Sequence, residues 1–184
     1  SGSGSCRVYN RLFSLSLPPV KMDAVKESSK TFLDIAGSNL LAGLVSYSSS
    51  ATTDEVLAIM DPTNRLALDT AIDALNPSGG TCIECGLEDA ADELVSVRAK
   101  ENATKIAILL TDGQATYGNS IDGAVYARDR NVTVYTIGFG YDVDETELLN
   151  IALLTNGEYY FAPDTETLTT IFQSLGRSFK GVSE

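Results

Sequence analysis

Two segments, KIAILLTDG and VTVYTIGFG, are apolar at nearly every position. That is the pattern of strands covered on both faces of a parallel sheet. NLLAGLVSY predicts a third buried strand near Leu40 to Tyr47, and DEVLAIM (Asp54 to Met60) and EYYFA predict two shorter ones. Between the strands the apolar positions change period. In KMDAVKESSKTFLDIAG, Met22, Val25, Phe32 and Ile35 fall at helical spacing, with Gly37 as the stop. Pro18 and Pro19 set up the start of this helix. Arg65 to Leu75, Ile121 to Arg130, Glu145 to Leu154 and Thr165 to Phe179 also read as helices. So does Ile83 to Val97, with Leu87, Ala90, Ala91 and Leu94 on one face. Strands alternating with helices predict an α/β fold: a doubly wound, mostly parallel sheet flanked by helices, with right-handed crossovers. Ligands of such sheets bind at the carboxyl ends of the strands. Neither an internal repeat nor a domain boundary interrupts the pattern, so residues 1–184 read as a single domain.

Composition narrows the function. Lys and Arg total 13 against 25 Asp and Glu, a net charge of −12. Such a chain repels phosphate backbones, so nucleic acid is not an expected partner, and cations or basic surfaces are. Ordinary solubility would account for the acidity equally well. The longest apolar runs fall far short of the roughly 20 residues needed to span a bilayer. The sequence contains no His, which removes the commonest general base and the commonest zinc ligand. Nor does a Gly-x-Gly-x-x-Gly fingerprint follow a strand, and no Walker lysine loop is present. Asp112 as a phosphatase-type nucleophile would want a second acid two residues on, where Gln114 and then Ala115 stand. The expectation is therefore a protein that is not an enzyme.

Three strand-end loops carry oxygen-bearing side chains: the opening Ser-Gly-Ser-Gly-Ser, Thr81 after Gly79 and Gly80, and Asp112 directly after the clearest strand. Each alone is an ordinary loop, cap or turn. Together they offer the hydroxyl and carboxylate shell that a hard cation such as Mg²⁺ prefers. With few negative charges in that shell, the metal would stay electrophilic and accept a carboxylate from a partner.

From Lys21 onward the chain resembles the von Willebrand factor type A (VWA) domain. KMDAVKESSKTFLD is similar to that family's first helix, SGGTCIECGLEDA to its Gly-Gly-Thr loop and the helix after it, and KIAILLTDGQAT to its metal-loop strand. VTVYTIGFG resembles the next strand, and ETELLNIALLTNGEYYFAPDTETLTTIF the closing helix, strand and helix. The family builds a metal-ion-dependent adhesion site from Asp-x-Ser-x-Ser, a Thr and an Asp. Here the resemblance implies Ser1 and Ser3 (in an alternative register, Ser3 and Ser5), Thr81 and Asp112, around Mg²⁺, Mn²⁺ or Ca²⁺. The leading Asp is not present. No segment reads as the family's central first strand, so residues 1–20 are expected to be an amino-terminal metal loop and insertion, and residues 21–184 the remainder of the domain. The chain then reads as a fragment opening inside the motif, with metal binding weakened.

The implied function is an adhesion-type module that binds a protein ligand's acidic side chain, extracellular or at the cell surface, as part of a longer protein. The alternative is a VWA assembly subunit of an intracellular complex. A lone Cys-x-x-Cys is weak evidence for zinc and modest evidence for redox work. Cys6 follows the Ser loop and Cys82 follows Thr81, so a disulfide from Cys6 to Cys82 or Cys85 could clamp the two loops; otherwise all three thiols stay reduced. The Asn102 (Thr104) and Asn131 (Thr133) triplets are candidate glycosylation sites. Ile171, Phe172 and Leu175 are the expected buried anchors of the last helix, the element that moves with the metal site in integrin-type members of the family.

Overall fold

The computed structural model describes residues 8–14 and 19–180. In chain order the elements are β1 (Val8–Ser14), α1 (Pro19–Ala36), β2 (Leu41–Tyr47), β3 (Ala51–Ile59), α2 (Pro62–Ala74), α3 (Ile83–Leu94), β4 (Lys105–Thr111), α4 (Ser120–Asp129), β5 (Val132–Phe139), α5 (Glu145–Leu154), β6 (Tyr159–Ala162) and α6 (Thr165–Lys180). They form one six-stranded sheet in the order β3-β2-β1-β4-β5-β6, parallel throughout except for the antiparallel edge strand β3.

One expectation is corrected here. The central position of the sheet is filled by β1, which pairs in parallel with β2 on one side and β4 on the other. Val8–Ser14 is thus a strand inside the stretch read from sequence as metal loop and insertion. Asn10 and Arg11 interrupt its aliphatic pattern, so it does not read as a buried strand.

Elsewhere the two-period pattern is realised directly. Along β4, Ile106, Ile108 and Leu110 enter the core on one face, and Ala107 and Leu109 the core on the other. The first core is closed by Met22, Val25 and Phe32 of α1, Leu68 and Ile72 of α2, and Phe172 and Leu175 of α6. The second is closed by Ile83, Leu87 and Leu94 of α3, Ala124 of α4, and Leu148 and Ile151 of α5. Each such aliphatic side chain contributes roughly 1.5–3 kcal/mol by leaving water. Phe172 and Leu175 are buried as expected, while Ile171 is only partly so. Phe32 meets Phe172 and Phe179 edge to face, at centroid distances of 6.3 and 6.0 Å, which locks α6 onto α1. Asp61 starts α2, its carboxylate accepting from the N–H groups of Thr63 and Asn64 at 2.9 Å, with Pro62 at the first helical position.

At the β3 edge the ladder slips between the Ala42 and Leu44 pairings. A Cβ on Gly43 would stand 2.9 Å from the Glu55 carbonyl oxygen, so only glycine fits the bulge. The Leu57 N–H donates instead to Glu93 Oε1 of α3 at 2.7 Å. Arg98 folds back to grip the same carboxylate through Nε (2.8 Å) and Nη2 (2.5 Å). This return ends α3 at Leu94, short of the expected Val97. Burial pushes the Glu93 carboxyl up, but the Arg98 hydrogen bonds and charge and the Leu57 N–H outweigh it and hold it below its ordinary value of 4.5. A carboxylate with a depressed folded pKa stabilises the fold above its unfolded pKa and loses that contribution as pH falls through the folded one. Glu93→Ala is therefore expected to lower unfolding free energy by about 2–3 kcal/mol at pH 7. In urea titrations the gap from wild type should close as the pH is lowered below 4.5.

Candidate metal centre

The strand order reverses between β1 and β4. From β1 the chain crosses through α1 on one face, and from β4 through α4 on the other. Loops leaving the two carboxyl ends diverge and leave a crevice, the position where doubly wound sheets bind ligands. Asp112 follows the last residue of β4 directly and is 8% exposed. Thr111 fixes the turn behind it: its hydroxyl donates to the Gly113 carbonyl at 3.0 Å and accepts from the Gly113 N–H at 3.3 Å.

The Thr81 loop is stitched to this turn. The Thr116 N–H donates to the Thr81 carbonyl at 2.8 Å, and the Thr81 N–H donates to Thr116 Oγ1 at 2.8 Å. On its other side the loop is tied to the β2–β3 connection, with Cys82 N–H on the Ser48 carbonyl (2.6 Å) and Gly80 N–H on Ser49 Oγ (3.1 Å). Contact is close enough that a Cβ on Gly80 would lie 2.4 Å from the Tyr117 ring and 2.8 Å from Thr116 Oγ1. Thr81 is thereby held 4% exposed beside the loop that Asp112 opens. The structure thus ties the Thr81 loop, through Thr116, to the loop that Asp112 opens. Ser1, Ser3 and Ser5 lie outside the described residues, as does Cys6.

Three participants escaped the sequence reading. Lys21, in the first turn of α1, places its ammonium 3.7 Å from Asp112 Oδ2 and 5.4 Å above the centre of the Phe139 ring. Gly140 (φ +91°) makes room for it, since a Cβ there would sit 2.7 Å from Lys21 Nζ. Asp142, in the loop after β5, adds a second negative charge. Burial raises the Asp112 carboxyl above its ordinary value; Lys21 opposes that rise and Asp142 adds to it. One signal did point to Lys21. A lysine in the first turn of a helix opposes the helix dipole and calls for a carboxylate nearby.

The disulfide expectation is also corrected. Cys82 is bonded to Cys85, with Cα atoms 5.3 Å apart, so neither is paired with Cys6. The three-residue step across the start of α3 already brings the two sulfurs within bonding reach. The bridge follows Thr81 immediately. Within the loop it closes, Glu84 Oε2 accepts the Asn119 N–H at 2.5 Å, joining the starts of α3 and α4. The candidate glycosylation residues Asn102 and Asn131 are exposed in the loops entering β4 and β5, at the strand ends opposite Asp112.

The described donors fit a hard divalent ion by their chemistry. Thr81 and Asp112 offer only oxygen, and a buried carboxylate already drawn to one cation is a place that favours positive charge. Among the described residues no group of three or more acidic, Cys or His side chains surrounds the point, so a single carboxylate and hydroxyls would have to carry it.

An α/β module with a buried acid beside the crevice at its switch point is the class that geometry defines. A family model, von Willebrand factor type A domain, matches residues 14–174. The chain belongs to that family. The match starts at the last residue of β1, so the strand filling the central position lies almost wholly outside it. The chain is 28% identical over 194 aligned positions to a UPF0353 protein of Mycobacterium sp. (strain KMS), an alignment covering 91% of this chain and 57% of that protein. It therefore spans little more than half the length of the curated relatives it matches. Among solved structures, a von Willebrand factor type A protein from Catenulispora acidiphila superposes with TM-score 0.86 at 25% identity, over 96% of this chain and 43% of that one. The fold is likewise shared with proximal thread matrix protein 1 from the mussel byssus, solved with a zinc-occupied MIDAS motif (TM-score 0.76, 24% identity, 95% of this chain and 46% of that one).

Two substitutions test the stitching. Gly80→Ala forces a side chain into Tyr117 and Thr116 and is expected to cost about 1–3 kcal/mol in urea unfolding. Replacing Cys82 and Cys85 together by Ser opens a very short loop, and about 2 kcal/mol should be lost on the chain-entropy estimate. Dithiothreitol should produce the same loss in the wild type and none in the double variant.

Proposed function

We propose that this chain is a protein-binding module that engages an acidic side chain of its partner through a divalent cation, Mg²⁺ or its substitutes Mn²⁺ and Ca²⁺. The ion would be held by Thr81 and Asp112 and would supply an electrophilic bridge to the partner's carboxylate. Ser1, Ser3 and Ser5, the serines expected to join them, precede β1, whose first residue Val8 pairs with Lys105 at the end of β4 opposite Asp112, and they are left out of the ligand set. The observation carrying this reading is the burial of Asp112 at the switch point, beside a Thr81 loop fixed by reciprocal hydrogen bonds. Preorganised ligands lose little freedom when they close on an ion, which favours binding. Next to the site a shallow cleft of about 380 Å³, lined by Gln114, Asn119, Ser120, Asp144 and Glu147, extends the contact surface. Its acidic rim suits a partner whose bridging acid is set among basic residues.

Binding rather than catalysis is the role we infer, because Asp112 is tied to Lys21 and has neither a histidine nor a second acid two residues on. The zinc-occupied MIDAS motif of the mussel byssus protein, which shares this fold, supports a metal-binding role. An extracellular or cell-surface setting is supported by the Cys82–Cys85 disulfide, a bond of oxidising compartments, and by two Asn-x-Thr triplets whose Asn102 and Asn131 are exposed. Among the described residues no helix is long and apolar enough to cross a membrane.

Isothermal titration with Mg²⁺ and Mn²⁺ tests the reading. Asp112→Asn is expected to weaken divalent binding at least about tenfold, given that even supporting residues of metal sites contribute that much. Capture of acidic peptides should be lost in EDTA. Unchanged metal affinity in Asp112→Asn would remove the basis of the proposal.

A further inference from the structure

Lys21 stands where a cation is wanted. Its ammonium is 3.7 Å from Asp112 Oδ2, its side chain is 29% exposed against 8% for the carboxylate, and it lies over the Phe139 ring at 5.4 Å. The placement is built by three separate elements. α1 brings the lysine in its first turn, β4 presents the acid, and Gly140 after β5 leaves the space that a side chain would fill. No acidic side chain occupies the first turn of α1, so the partial positive charge of the helix start pushes the ammonium outward toward Asp112. An ammonium and a divalent ion at one carboxylate lie a few ångströms apart and repel each other, so each weakens the other's hold on it.

We propose that Lys21 is the resident counter-cation of Asp112 and that a divalent ion occupies this edge only by displacing it. The inference rests on the metal reading above and adds a specificity-setting residue to it. Displacement needs no rearrangement of the fold. Lysine has four flexible methylene links, part of the side chain is already in water, and the aromatic face of Phe139 can keep its stem as the head swings away. The site thus has two states: a lysine-neutralised one, with no cation to offer a partner's carboxylate, and a metal-loaded one with Lys21 released. Metal affinity in the wild type is set by the difference between the two.

The experiment uses the full chain in four forms: wild type, Lys21→Met, Lys21→Gln and the charge-keeping Lys21→Arg. Each is checked for folding by far-UV circular dichroism and titrated with Mn²⁺ by calorimetry, with thermal melts run in parallel in EDTA and in Mn²⁺. Both neutral variants are expected to bind Mn²⁺ about tenfold more tightly than wild type, a difference of about 1.4 kcal/mol. They should melt lower than wild type in EDTA and regain the loss in Mn²⁺, while Lys21→Arg stays with wild type in both. The two neutral variants remove the charge with different side chains, so misfolding of one leaves the other to report. Equal or weaker Mn²⁺ binding by the neutral variants overturns the inference and leaves the metal reading standing. Absence of Mn²⁺ binding in all four forms overturns both.

Discussion

β1 and β4 lie side by side in a parallel ladder, and the chain leaves them toward opposite faces of the sheet. That divergence is the constraint on which the site depends. If both crossovers ran over the same face, α1 and α4 would close over the strand ends and no crevice would form. Because they part, the turn after β4 is left beside open space. The neighbouring Thr81 loop can then be drawn in by reciprocal backbone and hydroxyl hydrogen bonds to Thr116. Packing on either side supplies rigidity: α6 is fixed on α1 by the Phe32, Phe172 and Phe179 rings, and α3 lies under the Thr81 loop through Ile83 and Leu87.

Two buried acids show how differently the same side chain can be used. Glu93 is fully satisfied, by one backbone N–H and a two-pronged arginine, and its ionised form is stabilised in spite of burial. For Asp112 burial prevails: the Lys21 ammonium at longer range does not offset it, and Asp142 adds to it, so the ionised form is disfavoured. Glu93 is a structural tie. Asp112 keeps an electrostatic demand that its surroundings meet only in part, which is a recurrent mark of a functional group rather than a structural one.

How much of this could be read from residues alone follows from what each signal depends on. β4 and β5 are legible because a strand covered on both faces is apolar at consecutive positions, and α5 because Asp144 caps it and Leu148, Ile151 and Ala152 form a buried face. β1 is not legible. Its place is set by hydrogen bonds to β2 and β4, and Asn10 and Arg11 hide it from any pattern based on polarity. Thr81 and Asp112 stand out because each directly follows a local signature, a Gly-Gly turn or a buried strand. Lys21 meets Asp112 across two elements distant in sequence, and only its unfavourable place at a helix start hints at the pairing. The cysteine spacing contained the observed bridge, but the expectation looked to a longer loop; the start of α3 decided for the shorter one.

The slip in pairing at Gly43 reaches beyond local geometry. An open sheet exposes two rows of unpaired backbone groups, each a template onto which another chain can add. Here β6 offers only four residues on one side. On the other side β3 is bent by the bulge, tethered to α3 through Glu93, and carries Asp54 and Glu55. A second molecule approaching that rim would meet like charge and a broken register, so the same kink that costs the ladder a bond guards the protein against fibril-like self-association.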